Sequence, residues 1–431
     1  GTMELVVFRS TDAAMKPCFI GAFDLAGNVL WQIGEGGDQP ARPGPVTLYD
    51  FDGDGADEVL HFWHDASVDN ETENMADVVV QVRRGRDGKL LREARPEIFR
   101  TSAGEGANWV HHRLLITNLE GEDRAQSFVV KLGEKVIAFD CELAVQWHYE
   151  VPWNEYTRCS AYIPAVGDID GDGRDEITGG YYLLDDDGTV LWQEQLGRNM
   201  DSVAIVPWDN GTPRVIASGG GYVLDAQGTP LLRLGEELVP HGQEVRVGNF
   251  RSDLPGPEMA IRWNGHRNDA MIVANDGAVL TRFKLNDSPN HTGMEAVYWQ
   301  GKYAPPLLYN GGMLWDGYGQ KFAAFPGLPS PVGEFRRGWY HCIPVDLIGD
   351  DAEEVVLYNP WEATVRIYRS ARTDPADTHP FIPTSRQYNV RLMDCGFTSS
   401  HPQLDRILTG LLACDHEFSS PFRRFRGGFH R

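Results

Sequence analysis

A chain of 431 residues with 47 glycines and a formal net charge of −23 has the length of one large β domain or of two or three smaller ones. The acidic excess excludes nucleic acid and an anionic membrane surface as partners, and an anionic polymer would have to meet a locally basic pocket. No apolar run approaches the length of a membrane span, so no membrane partner is expected.

In chain order, ELVVFRS, FIGAFDLAG and NVLWQIG (residues 4–34) read as three strands separated by polar turns. Against later units they match second, third and fourth strands of a repeat whose first strand is missing. Residues 50–59, DFDGDGADEV, then give an acidic loop entering a strand, and residues 158–192 give the fullest copy. That copy runs strand, acidic loop, strand, D-x-x-G turn, strand. Weaker copies follow markers at Asn118, Asp209, Asn249, Trp299 and Asp346.

Repeats of this length with about four strands each are propeller blades. The expectation is an all-β chain forming a single β-propeller of seven, alternatively eight, four-stranded blades over residues 3–394. Strands from both termini would close it, with residues 384–393 (TSRQYNVRLM) as the closing strand. The tail 395–431 loses the pattern and is expected to be poorly ordered. Six cysteines show no C-x-x-C and no paired spacing. With no leader visible, they give an expectation of a cytoplasmic monomer, or a secreted one if a leader has been removed.

Asp50, Asp52, Asp54 and Asp57, and again Asp168, Asp170, Asp172 and Asp175, crowd onto tight glycine turns. So many carboxylates repel one another unless a hard cation sits among them, which points to Ca2+. An EF-hand needs a glutamate at loop position twelve and helical flanks. His61 and Gly179 stand there instead. Such calcium stiffens a turn between strands.

Residues just upstream of each first strand share one mouth of a propeller. There the chain places Arg42, His111 and His112, Tyr156 and Arg158, His241, His291, and Trp339, Tyr340 and His341. Five of the 13 histidines fall in these windows. Singly each reads as a cap or loop hydrogen bond; the convergence of the set is what suggests a site. Arg262, His266 and Arg267 could reach over a pocket or form a solvated loop, and the loop is the expectation.

The acidic loops, with the terminal VDLIGDDAEEVVLYNPWEATVRIYR and RQYNVRLM, resemble the calcium-binding β-propeller rhamnogalacturonan lyases and their relatives that act on rhamnose–glucuronate linkages, ulvan and gum arabic included. The resemblance implies β-elimination on an acidic plant or algal polysaccharide or oligosaccharide. The shorter chain, which departs from the family after Met393, suggests exo action. The C5 proton of a uronate is removed by a base once its carboxylate is neutralised, and an acid protonates the leaving oxygen. By position in the repeat, His112 or His111 is the expected base, Arg158 the neutraliser and Tyr156 the donor. Arg42, His241, His291, Trp339, Tyr340 and His341 would bind substrate. Two alternatives stand beside this. One is a non-catalytic carbohydrate- or protein-binding propeller of integrin-repeat type. The other is a hydrolase using Asp201 and Glu244 as its carboxylate pair.

Overall fold

The computed structural model describes residues 4–10, 17–35, 46–65, 77–101, 113–153, 159–161, 163–197, 200–289, 291–329, 340–359, 364–371, 417–419 and 422–426. Within them the chain forms eight consecutive antiparallel sheets, so the blade number is eight. The sequence left seven open because the first sheet lacks an innermost strand. Its three strands, Glu4–Ser10, Pro17–Asp24 and Val29–Gly34, nevertheless form a sheet of their own, blade 1.

Blades 2 to 7 each have four strands in simple meander order. The first strands of blades 3 to 8 lie side by side in sequence and form the inner wall. Second and third strands are buried on both faces because each sheet is covered by a neighbouring blade. Glu354–Tyr358 and Tyr182–Leu184, for example, are buried throughout. Fourth strands are half exposed, as in Val190–Gln193.

Blade 8 differs from expectation. Its strands His341–Val345, Glu354–Tyr358 and Val365–Ser370 are followed by Phe422–Arg426, which pairs with the third, and then by Glu417–Ser419. The fourth strand thus comes from the tail that was expected to be poorly ordered. It covers the row of backbone groups that the third strand would otherwise leave open as an edge. The expected closing strand at residues 384–393 lies outside the described residues. Among the described residues no helix is long and apolar enough to cross a membrane.

A recurrent contact locks the blades. Trp147 on the outer strand of blade 3 lies over Gly188 in the third-to-fourth turn of blade 4, and its indole N–H donates to Asp186 O at 2.7 Å. Trp31 and Gly88 repeat the contact between blades 1 and 2, and Trp192 and Gly228 between blades 4 and 5. Gly188 has φ +82°, and a Cβ there would stand 2.7 Å from the indole. Blade 3 solves the same turn differently. Leu143 takes φ +69° at the glycine position, Arg92 replaces the tryptophan of the preceding blade, and Arg92 pairs with Glu142 at 2.9 Å. Gly188→Ala should therefore destabilise the fold by about 1–3 kcal/mol, from left-handed strain and the displaced indole together. Denaturant titration measures it; an unchanged midpoint would show that the lock contributes nothing.

Candidate functional site

Strand pairing divides the site residues between two faces. In blade 4 the first strand ends at Gly167 opposite Glu176, so the acidic loop connecting them lies at one end of the blade. In blade 6 Glu244, which opens the first strand, pairs with Arg262, which ends the second. The entries to first strands and the second-to-third turns therefore share the opposite end. The acidic loops and the mouth histidines are on opposite faces of the molecule.

On the mouth face, His241 and His291 each meet a carboxylate. His241 Nε2 lies 2.9 Å from Asp201 Oδ2, and Asp201 is fully buried at the entry to blade 5. His291 Nδ1 lies 2.8 Å from Asp287 Oδ1, whose other oxygen accepts the Thr292 hydroxyl at 3.0 Å. A carboxylate that accepts one ring N–H fixes the tautomer and makes the other nitrogen the basic atom. In neutral His241 that atom is Nδ1, and in His291 it is Nε2. Both side chains keep about a quarter of their surface, 29% and 25%, within reach of solvent.

The turn of residues 262–269 joins the two dyads. The His266 ring stands 5.7 Å from that of His241, and the His266 carbonyl accepts the Ser288 hydroxyl at 2.8 Å, next to Asp287. Beneath it Arg262 is fully buried. Its Nε meets Glu244 Oε2 at 2.9 Å, and it donates to the carbonyls of Asp287 (3.0 Å) and Thr292 (3.3 Å). Arg246 pairs with Glu295 through both carboxylate oxygens at 3.1 and 3.0 Å. These ion pairs form a rigid floor, and Arg262 is too fully engaged to bind a substrate carboxylate. The turn read from sequence as solvated is in fact the link between the dyads. Its signal was arginine followed at four residues by histidine on a turn at the mouth end.

Other expected site residues fare differently. Tyr340 is buried in the core between blades 7 and 8, where its carbonyl accepts the Tyr309 hydroxyl and Arg366 stacks 4.8 Å from its ring. His341 is 1% exposed and lies against Tyr358. Both side chains are buried at the entry to the inner strand of blade 8, which begins at His341, one residue earlier than the pattern suggested. Arg42, His111, His112, Tyr156, Arg158 and Trp339 lie outside the described residues. Asp201 and Glu244, the carboxylates a hydrolase would need, are both fully buried and committed to His241 and Arg262. That arrangement does not offer a sugar two accessible carboxyl groups.

On the opposite face, Asp50, Asp52 and Glu58 bring ligand oxygens within 4.8 Å of one another, and so do Asp168, Asp170 and Glu176. Asp168 anchors its turn by accepting the N–H groups of Gly171 (2.6 Å) and Gly173 (3.1 Å), and Asp50 does the same with Gly53 and Gly55. The third carboxylate is the glutamate at loop position nine. Asp57 and Asp175, expected from sequence, stand at position eight, which projects to the other side. Asp175 instead accepts the Asn118 N–H of blade 3 at 2.7 Å. Asp54 and Asp172 lie outside the three-carboxylate groups and accept the N–H of Ala56 (2.9 Å) and Arg174 (2.8 Å).

Glu176 is fully buried; Oε2 accepts the Ile169 N–H at 2.7 Å while Oε1 has no hydrogen-bond partner. An orphaned buried carboxylate oxygen beside two aspartates fits a hard, oxygen-liking cation such as Ca2+. In the related loops a basic side chain takes the place of a cation. In blade 6 Arg251 occupies the third position and pairs with Asp253 at 2.7 Å, and in blade 8 Ile348 stands there while Lys302 pairs with Asp351 at 2.7 Å.

Burial, with the neighbouring carboxylates adding to it, raises Glu58 and Glu176 to about 7 and Glu354 to about 8 without a cation. A carboxyl group with a raised folded pKa stabilises the fold below its unfolded value near 4.5 and loses that contribution as pH rises through the folded value. The chelated protein should therefore melt at progressively lower temperature from about pH 5 to about pH 8, with calcium removing much of the slope. A chelated protein whose melting rises over that range contradicts this.

No protein-family model matches the chain. It is 27% identical to the rhamnogalacturonan exolyase YesX of Bacillus subtilis, over 81% of this chain and 64% of that protein, so it spans less than two thirds of the relative's length. Among solved structures it is similar to a rhamnogalacturonan lyase of Bacillus licheniformis, with TM-score 0.65 and 20% identity over 91% of this chain and 72% of that one. It is similar also to the rhamnogalacturonan lyase YesW, with TM-score 0.61 and 20% identity over 83% and 72% of the two chains. The resemblance to rhamnogalacturonan-lyase propellers expected from the sequence is borne out.

Proposed function

We propose that the chain is a polysaccharide lyase that cleaves a rhamnose–uronate linkage by β-elimination, with a pectin-type rhamnogalacturonan as the first substrate class. The observation that carries the reading is the pair of His–Asp dyads on one mouth, in a propeller similar to named rhamnogalacturonan lyases. β-Elimination needs a base for the C5 proton and an acid for the leaving oxygen; a neutral imidazole serves as the base and an imidazolium as the acid. His241, oriented by Asp201, takes the proton through Nδ1. His291, oriented by Asp287, donates from Nε2 when protonated. The C5–H electron pair forms the C4–C5 double bond while the C4–O bond breaks.

Carboxylate neutralisation is assigned to Arg158, which precedes the first strand of blade 4 in sequence. His111 and His112 precede that of blade 3 and stand as substrate-binding groups. Action at a chain end and acceptance of glucuronate as well as galacturonate belong to the same proposal. Ca2+ held by Asp50, Asp52 and Glu58, and by Asp168, Asp170 and Glu176, would cross-link its two turns and take no part at the mouth.

Mass spectrometry of products from rhamnogalacturonan, gum arabic and ulvan tests the reading. Products one water lighter than hydrolysis products are expected from at least one of them. Saturated products from all three, or binding without cleavage, would overturn it. Binding that survived loss of each mouth side chain would instead favour a non-catalytic propeller.

A further inference from the structure

Among the described residues, the exposed phenylalanine, tyrosine and tryptophan side chains all belong to blade 7: Tyr303 (91%), Tyr318 (51%) and Phe322 (44%). The other exposed large apolar side chains are valines and leucines at the starts of the outer strands of blades 1 to 5. Tyr303 lies between Val297 and Leu307, in the first-to-second loop where blades 2 and 4 carry their acidic turns, and Tyr318 lies in the third-to-fourth turn. Both therefore stand on the face opposite the histidines. The two connections are about two strand spacings apart, roughly 10 Å, so the rings mark a path from the axis toward the rim.

The platform is held in place. Arg251 stacks 4.0 Å from the Tyr318 ring, and the Tyr318 hydroxyl donates to Asp253 at 3.2 Å. The Phe283 ring of blade 6 lies against the next residue, Gly319, where φ is +74° and a Cβ would stand 2.8 Å from that ring. Lys302 Nζ lies 5.2 Å from the centre of the Tyr303 ring. Both cations are already neutralised, Arg251 by the two oxygens of Asp253 at 2.8 and 2.7 Å and Lys302 by Asp351 at 2.7 Å. On the face that carries the acidic loops, in a chain of net charge −23, such a surface repels a polyuronate. An uncharged ligand with a C–H-rich face meets no such penalty, and rings already ordered cost little entropy to stack on. Blade 7 offers rings among polar groups and exposes no large aliphatic side chain, which suits sugar C–H groups better than the apolar core of a protein interface.

We propose that blade 7 carries a second glycan-binding surface, separate from the mouth, on which a neutral hexose polymer stacks against Tyr303 and Tyr318. β-Linked galactose fits this chemistry, because its axial O4 leaves the C3, C4 and C5 hydrogens on one ring face. The probe is therefore the linear β-linked galactan of plant cell walls, and the assay is affinity electrophoresis of the full chain through gels that contain it.

The wild-type chain should be retarded by galactan. Tyr303→Ala, at a side chain too exposed to matter for folding, should weaken binding about threefold or more, and Tyr303→Ala combined with Tyr318→Ala about tenfold or more. Tyr303→Phe keeps the ring and should bind within about twofold of the wild type. No retardation by galactan, retardation unchanged in the double variant, or a phenylalanine variant as weak as the alanine overturns the proposal. A concentration-dependent dimer that Tyr303→Ala disperses without any glycan also overturns it, because blade 7 would then be an interface between copies. Galactan holds no uronate for the mouth to act on, so failure of the lyase assay and failure of this assignment are seen separately.

Discussion

Alanine at His241 is expected to lower kcat/KM on a rhamnogalacturonan substrate by about 10²–10⁴-fold, the range for loss of a positioned general base. The fall should lie mainly in kcat, because the ring acts on the proton in the transition state more than it binds the ground state. Asp201→Asn should cost about 10²-fold or more by disturbing the tautomer that puts the lone pair on Nδ1. Asp201 is a positioning residue, so its replacement should also shift the pH–rate profile, which a purely structural role would not do. Both variants must first show wild-type melting, since Asp201 is fully buried and its loss leaves His241 without that acceptor. If His112→Ala abolishes turnover while His241→Ala does not, the base belongs to blade 3 and the described dyad is a binding group.

Removal of the cation should act on stability and not on chemistry. If both acidic loops bind Ca2+ at concentrations of about 100 to 1,000 times Kd, each loses about 2.7–4.1 kcal/mol on chelation. The melting midpoint should fall accordingly, and Asp168→Ala should reproduce about half of the effect. Because the loops lie on the face opposite the histidines, turnover well below the melting temperature should change less than about twofold. A rapid, complete loss of activity on chelation in the still-folded protein would place a cation at the mouth. A chelator that leaves the midpoint unchanged would remove calcium from these loops altogether.

The acidic loops show where sequence reading succeeds and where it stops. Local spacing marks Asp50, Asp52, Asp168 and Asp170 because a turn's geometry depends on neighbouring residues. Position eight was expected from spacing, yet position nine completes each group of three close carboxylates among the described residues, and that depends on the preceding blade: Asp175 accepts the Asn118 N–H, and Glu176 turns inward. The blade repeat was legible from strand and turn order, yet blade 8 takes an outer strand from residues 422–426, across a gap of some 50 residues in sequence that no periodicity reveals. At the mouth, His241 and His291 were legible as recurring positions. Their partners Asp201 and Asp287 were not legible as such, because Asp201 sits one blade upstream of its histidine. Tyr340 was legible as a recurring position, but its burial between blades 7 and 8 depends on Tyr309 and Arg366, which are distant in sequence.

The most direct measurement is the ultraviolet absorbance of an unsaturated uronate released from rhamnogalacturonan, followed side by side for the wild-type chain and His241→Ala. The account expects absorbance to rise with the wild type and to be nearly absent with the alanine variant at equal folded concentration. Wild-type chain that binds or depolymerises the substrate with no rise in absorbance, or a variant that matches the wild type, contradicts it.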